Sequence, residues 1–128
     1  MWFFDGSINK KRWDAMKYDF ECQVETPARR PAKRLAIAID FDDTFTADPD
    51  MWAEFIRNNK QRGHSFYCVT NRKGSEENVD MMNEQFDKLN CQMTIIFANE
   101  LSKLDTVEQL GLTIDIWIDD SPYSLTRS

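Results

Sequence analysis

The chain has 128 residues, a formal net charge of −6, 41% hydrophobic and 30% charged residues, three cysteines and one histidine. That length suits one domain able to bury roughly two thirds of its unfolded surface, and the composition argues against wholesale disorder. The acidic balance disfavours a non-specific nucleic-acid or anionic-membrane binder. Cys22, Cys68, Cys91 and His64 lack zinc-ligand spacing, so reduced, buried thiols are expected. No apolar run reaches membrane-spanning length, and no leader pattern opens the chain, since Asp5 interrupts Trp2-Phe3-Phe4. A cytoplasmic location without membrane partners is the expectation.

Residues 1–34 read as an appended segment. They are rich in aromatics (Trp2, Phe3, Phe4, Trp13, Tyr18 and Phe20), with a short helix expected near residues 8–19 and a basic link punctuated by Pro27 and Pro31. These aromatics need burial against the core or a neighbouring subunit, which makes a homo-oligomer one expectation. Residues 35–128 read as the core domain. Leu35 to Ile39 is a short apolar run, the mark of a buried parallel strand. Asp48-Pro49 caps a first helix with Trp52, Phe55 and Ile56 on its apolar face, ending near Gly63. Ser65 to Val69 is a second strand. Ser75 caps a second helix with Glu76 and Glu77 in its first turn and a stripe of Val79, Met82, Phe86 and Leu89. Met93 to Ala98 is a third strand. Ser102 caps a third helix whose inward face is expected to be Leu104, Val107 and Leu110, stopped by Gly111. Ile114 to Ile118 is a fourth strand. The alternation predicts an α/β fold: a three-layer α/β/α arrangement around a mostly parallel sheet of about four strands.

In a parallel sheet the residues just past each strand share one edge. Here they are Asp40, Asp42 and Thr44 after the first strand, and Thr70, Asn71, Arg72 and Lys73 after the second. The third strand leads to Lys103 and the fourth to Asp119 and Asp120. Alternate residues of an extended chain project to one side, so Asp40 and Asp42 can converge. This set suits phosphoryl transfer from a monoester. Asp40 is the candidate nucleophile, and Asp42 the acid that protonates the leaving oxygen and then activates water. Attack by an anion on an anion requires positive charge. Magnesium held by Asp40 with Asp119 or Asp120, and the Lys103 ammonium, would supply it. Thr70 can donate a hydroxyl to a phosphoryl oxygen. Thr44, Asn71, Arg72 and Lys73 are candidate substrate contacts, with Arg72 and Lys73 suited to a second anionic group. Lys73 is a rival to Lys103 for the catalytic role.

With Asp40-Phe41-Asp42-Asp43-Thr44, Thr70 in Val69-Thr70-Asn71, Lys103 and Ile118-Asp119-Asp120 in that order, residues 35–122 resemble the haloacid dehalogenase-like (HAD) hydrolase superfamily. The resemblance implies a Rossmann-like core, Mg2+ dependence and phosphatase activity through an aspartyl-phosphate, with the Asp42 backbone carbonyl as a further metal ligand. Short links after Thr44 and Thr70 leave no room for a cap domain. The chain is thereby similar to small capless members of bacterial and phage origin, nucleic-acid end phosphatases among them.

Other phosphate-handling α/β proteins fit less well. A P-loop would need Gly-x-x-x-x-Gly-Lys-Ser/Thr, which is absent. A receiver domain would place its phosphoacceptor aspartate before the Thr on a middle strand, whereas Asp119 follows both Thr70 and Lys103. The expectation is a phosphomonoester hydrolase acting on a nucleotide or a nucleotide-derived small molecule. The alternatives are a protein of the same fold that sequesters such a ligand with little turnover, and a polynucleotide end phosphatase, which the net charge disfavours.

Overall fold

The computed structural model describes residues 32–99, 101–121 and 123–126; the helix expected near residues 8–19, Cys22 and most of the appended segment lie outside them. Among these residues four strands form one parallel sheet: β1 (Ala36–Ile39), β2 (Ser65–Thr70), β3 (Thr94–Phe97) and β4 (Ile116–Ile118), in the order β3-β2-β1-β4. The register sets Ile39 beside Cys68 and Ile118, and Thr70 beside Phe97, so the strands end along one edge. Helices α1 (Pro49–Gln61), α2 (Glu76–Lys88) and α3 (Lys103–Gln109) connect them, and α4 (Tyr123–Thr126) follows β4.

Strand periodicity sorts the side chains into two layers. Ile37, Ile39, Phe66 and Cys68 pack with Ala53 and Ile56 of α1 and Met82 and Phe86 of α2. Ala38, Val69 and Ile96 face the other way onto Val107 of α3. The sheet is therefore sandwiched between helices, the three-layer Rossmann-like arrangement expected. All three expected caps form: the side chains of Asp48, Ser75 and Ser102 accept hydrogen bonds from the backbone N–H groups of Met51, Asn78 and Asp105. Among the described residues no domain is inserted between β1 and α1 or between β2 and α2. No helix there is long and apolar enough to cross a membrane.

Two expectations need correction. Strand β4 begins at Ile116, because Asp115 meets β1 with its side chain: its Oδ2 accepts from Ala36 N at 2.8 Å while its own N donates to Ala36 O at 2.8 Å. On α3 only Val107 of the three expected residues is buried, whereas Leu104 and Leu110 are exposed. Lys103 takes the inward stripe instead, four residues before Val107. At about 100° per residue, Leu104 is turned away from it.

Candidate functional site

The order β3-β2-β1-β4 puts the reversal of strand order between β1 and β4, since β2 and β3 step away from β1 on one side and β4 returns to its other side. Ligand crevices of open α/β sheets form outside the carboxyl ends of strands at such a point. Asp40 leaves β1 there, donating its N–H to Ile118 O at 2.9 Å, and Asp119 and Asp120 leave β4.

The turn after β1 is built by alternation. Phe41 and Phe45 are fully buried and enclose Phe86, with ring centroids 5.9 Å apart for Phe41 and Phe45, 6.0 Å for Phe41 and Phe86 and 5.1 Å for Phe45 and Phe86. Asp40 and Asp42 precede and follow Phe41, so burying that ring turns them toward the edge. Asp43 adopts a left-handed φ of 64°, a conformation that Asp tolerates, and its N–H donates to Thr46 Oγ1 at 2.9 Å.

The centre of the site is Lys103. Its side chain is 1% exposed, and Nζ lies 2.8 Å from Asp40 Oδ1 and 2.7 Å from Asp119 Oδ2. Ser121 N donates to Asp119 Oδ1 at 2.9 Å, so both oxygens of that carboxylate are held. Thr44, also buried, ties the third acid in: its Oγ1 accepts from Asp120 N at 3.2 Å and lies 3.3 Å from Asp120 Oδ1 and 3.5 Å from Asp40 Oδ2. Burial pushes the Asp40 carboxyl up to about 6 against the pull of Lys103, with the charge of Asp119 and a hydrogen bond to Asp120 adding to the rise. Oxygens of Asp40, Asp119 and Asp120 lie within 4.8 Å of one another. Three carboxylates thus converge beside the Lys103 ammonium. That donor set fits a hard divalent cation, and the Asp42 backbone carbonyl takes part in no hydrogen bond of this turn. A hollow of about 270 Å³ lined by Thr44, Trp52, Asp119 and Asp120 opens beside the cluster.

Asp42 is held by Arg72. The guanidinium Nε donates to Oδ2 at 2.8 Å and Nη2 to Oδ1 at 2.9 Å, while Nη1 donates to Asn78 Oδ1 at 2.9 Å. Its carbon sits 5.5 Å from the centre of the Phe41 ring. Thr70 is buried at the end of β2, and its Oγ1 accepts from Arg72 N at 3.1 Å, which leaves its proton to donate elsewhere. Asn71 and Lys73 are exposed at the same edge. The structure thus brings Asp40, Thr44, Lys103, Asp119 and Asp120 into one cluster, with Asp42, Thr70 and Arg72 beside it.

Three participants were not visible in the sequence. Asn78 orients Arg72 from the first turn of α2, and Asn99 and Leu101 line an open groove of about 740 Å³ with Asn71 and Lys73. A polar residue six positions past an arginine carries no pattern that would flag it. Cys68 and Cys91 are buried free thiols, as expected, and burial raises both above the ordinary thiol range. That makes them packing residues rather than nucleophiles. Compared with family models, with curated proteins and with solved structures, the chain finds no match.

Proposed function

We propose that the protein is a magnesium-dependent phosphomonoester hydrolase of the HAD type that works through an aspartyl-phosphate on Asp40. The observation that carries this reading is the buried Lys103 ammonium shared between Asp40 and Asp119 at the switch point of the sheet. A buried charge is costly without partners. Beside an acid that would become phosphorylated, it neutralises the charge that accumulates during transfer.

In this reading an Asp40 oxygen attacks phosphorus as the bond to the leaving oxygen breaks, and Asp42 delivers a proton to that oxygen. Asp42 then takes a proton from the water that attacks the aspartyl-phosphate, which releases phosphate and regenerates Asp40. Lys103 and the Thr70 hydroxyl stabilise the phosphoryl oxygens. Asp40, Asp119, Asp120 and the Asp42 carbonyl would hold magnesium, which when bound offsets the charge of the phosphoryl group. Thr44 positions Asp120 and Asp40 relative to each other.

One observation favours the alternative of a ligand-binding protein with little turnover. Arg72 donates to both oxygens of Asp42, so the carboxylate that would serve as acid and base is already engaged by a neighbouring side chain. Incubation with a phosphomonoester panel and magnesium, beside Asp40→Asn and a chelator control, separates the two. Phosphate release that needs Asp40 and magnesium supports the hydrolase. Tight binding without release from any substrate leaves the binder, and release that survives Asp40→Asn removes the assigned nucleophile.

A further inference from the structure

We infer that the groove lined by Asn71, Lys73, Asn99 and Leu101 is the subsite for the leaving group, and that it selects a nucleotide-sized group carrying a second anion. The hydrolase reading is needed only for calling this ligand a leaving group. The groove lies at the carboxyl ends of β2 and β3, the edge that also bears Asp40. Neighbouring strands are about 4.8 Å apart, so the groove begins roughly one to two strand spacings, about 5–10 Å, from the reacting carboxylate. A group attached to phosphorus at Asp40 spans that distance. The volume of about 740 Å³ falls within the range of about 300–1,000 Å³ usual for small-molecule sites.

Among the described residues the lining chemistry points to the guest. Arg72 is committed to Asp42, but the Lys73 ammonium makes no ion pair or hydrogen bond among the described residues, and neither do the side-chain amides of Asn71 and Asn99. Two amides offer donors and acceptors side by side, the half-exposed Leu101 adds an apolar contact, and the free ammonium calls for an anion. The side of the wall formed by the β2–α2 loop is also fixed in advance. Asn78 Nδ2 donates to Lys73 O at 2.8 Å. Gly74 lies so close to Phe97 that a Cβ would stand 3.3 Å from the ring, and Ala98 N donates to Thr70 O at 2.8 Å, tying the two strand ends together. A loop held this way spends little ordering entropy on binding.

The test is calorimetry on the full-length protein with magnesium, in the Asp40→Asn background to block turnover. The probes are adenosine 3′,5′-bisphosphate and adenosine 5′-monophosphate. The bisphosphate is expected to bind about ten-fold or more tightly than the monophosphate. Lys73→Met is expected to abolish that preference, Asn99→Ala to weaken both ligands, and Lys88→Met, an exposed lysine at the far end of α2, to change neither. A bisphosphate that binds no better, or a preference that survives Lys73→Met, overturns the groove assignment. The two proposals fail separately. A wild type that hydrolyses phenyl phosphate yet shows no bisphosphate preference keeps the hydrolase and loses the groove. One that binds as expected but releases no phosphate keeps the groove and loses the hydrolase.

Discussion

Two ion-paired groups flank the strand that leads to Asp40, and they differ in nearly every physical respect. Lys103 with Asp40 and Asp119 is a dry cluster, its side chains 1%, 11% and 4% exposed. Arg72 with Asp42 is better shaped, two parallel N–H to oxygen contacts, but 36% and 48% exposed. Buried charges cannot lose a partner without a large penalty, whereas exposed pairs are screened and contribute little. The comparison teaches a division of labour: the β1/β4 side is a fixed electrostatic frame, and the β1/β2 side is a latch open to solvent.

The frame breaks most directly at Lys103. Lys103→Met removes the ammonium that Asp40 and Asp119 share, and a loss of about 3–5 kcal/mol is expected in chelator. Magnesium should recover part of it by replacing the missing positive charge. Urea unfolding with and without magnesium measures both. A midpoint equal to that of the wild type would show that Lys103 does not balance these acids.

The next effect has the opposite sign. The folded environment holds the Asp40 carboxyl at about 6, above its ordinary 3.8, so the metal-free fold binds a proton there more tightly than the unfolded chain does. The stability this supplies is full below the unfolded value and is lost as pH rises through about 6. Metal-free protein should therefore melt lower at pH 8 than at pH 5 through this group. Asp40→Asn, which mimics the protonated form, should be more stable than wild type at pH 8 by on the order of 2 kcal/mol, while losing phosphate release. Magnesium needs the ionised carboxylate, so its affinity should fall as pH drops through the same region. Thermal melts at both pH values, with chelator and with magnesium, carry the test. A wild type more stable than Asp40→Asn in chelator at pH 8 contradicts the raised carboxyl.

How much of this contrast was legible follows from range in sequence. Asp40, Thr70 and Asp119 sit at strand ends that hydrophobic pattern identifies, and Lys103 opens the helix that follows β3, so all four could be assigned to one edge from the sequence. The caps at Asp48, Ser75 and Ser102 were legible because they are local. The misreading of α3 came from taking leucines as inward by default. A buried lysine demanded by two acids overrides that preference, and Lys103 turned the helix so that Leu104 faces outward. The pairing of Arg72 with Asp42 spans 30 residues and depends on how the β2–α2 loop folds back over Phe41. No pattern within either segment encodes it.

The smallest expected effect on stability is the most informative for the latch. Arg72→Met removes a half-exposed pair, so unfolding in urea should shift by less than about 1 kcal/mol, and a loss matching that of Lys103→Met would erase the distinction between the two sides. Its kinetic effect should be larger than its structural one, and asymmetric. Arg72 orients the Asp42 carboxylate through both of its oxygens, and activating a free water depends on that orientation more than protonating a leaving oxygen already tethered through phosphorus, so removing Arg72 slows activation of water more than transfer to Asp40. The aspartyl-phosphate on Asp40 should then accumulate, visible by intact-mass measurement as one added phosphoryl group after acid quench. If the variant instead accumulates no phosphoenzyme while turnover falls, Arg72 acts on substrate rather than through Asp42, and the latch belongs with the groove beside it.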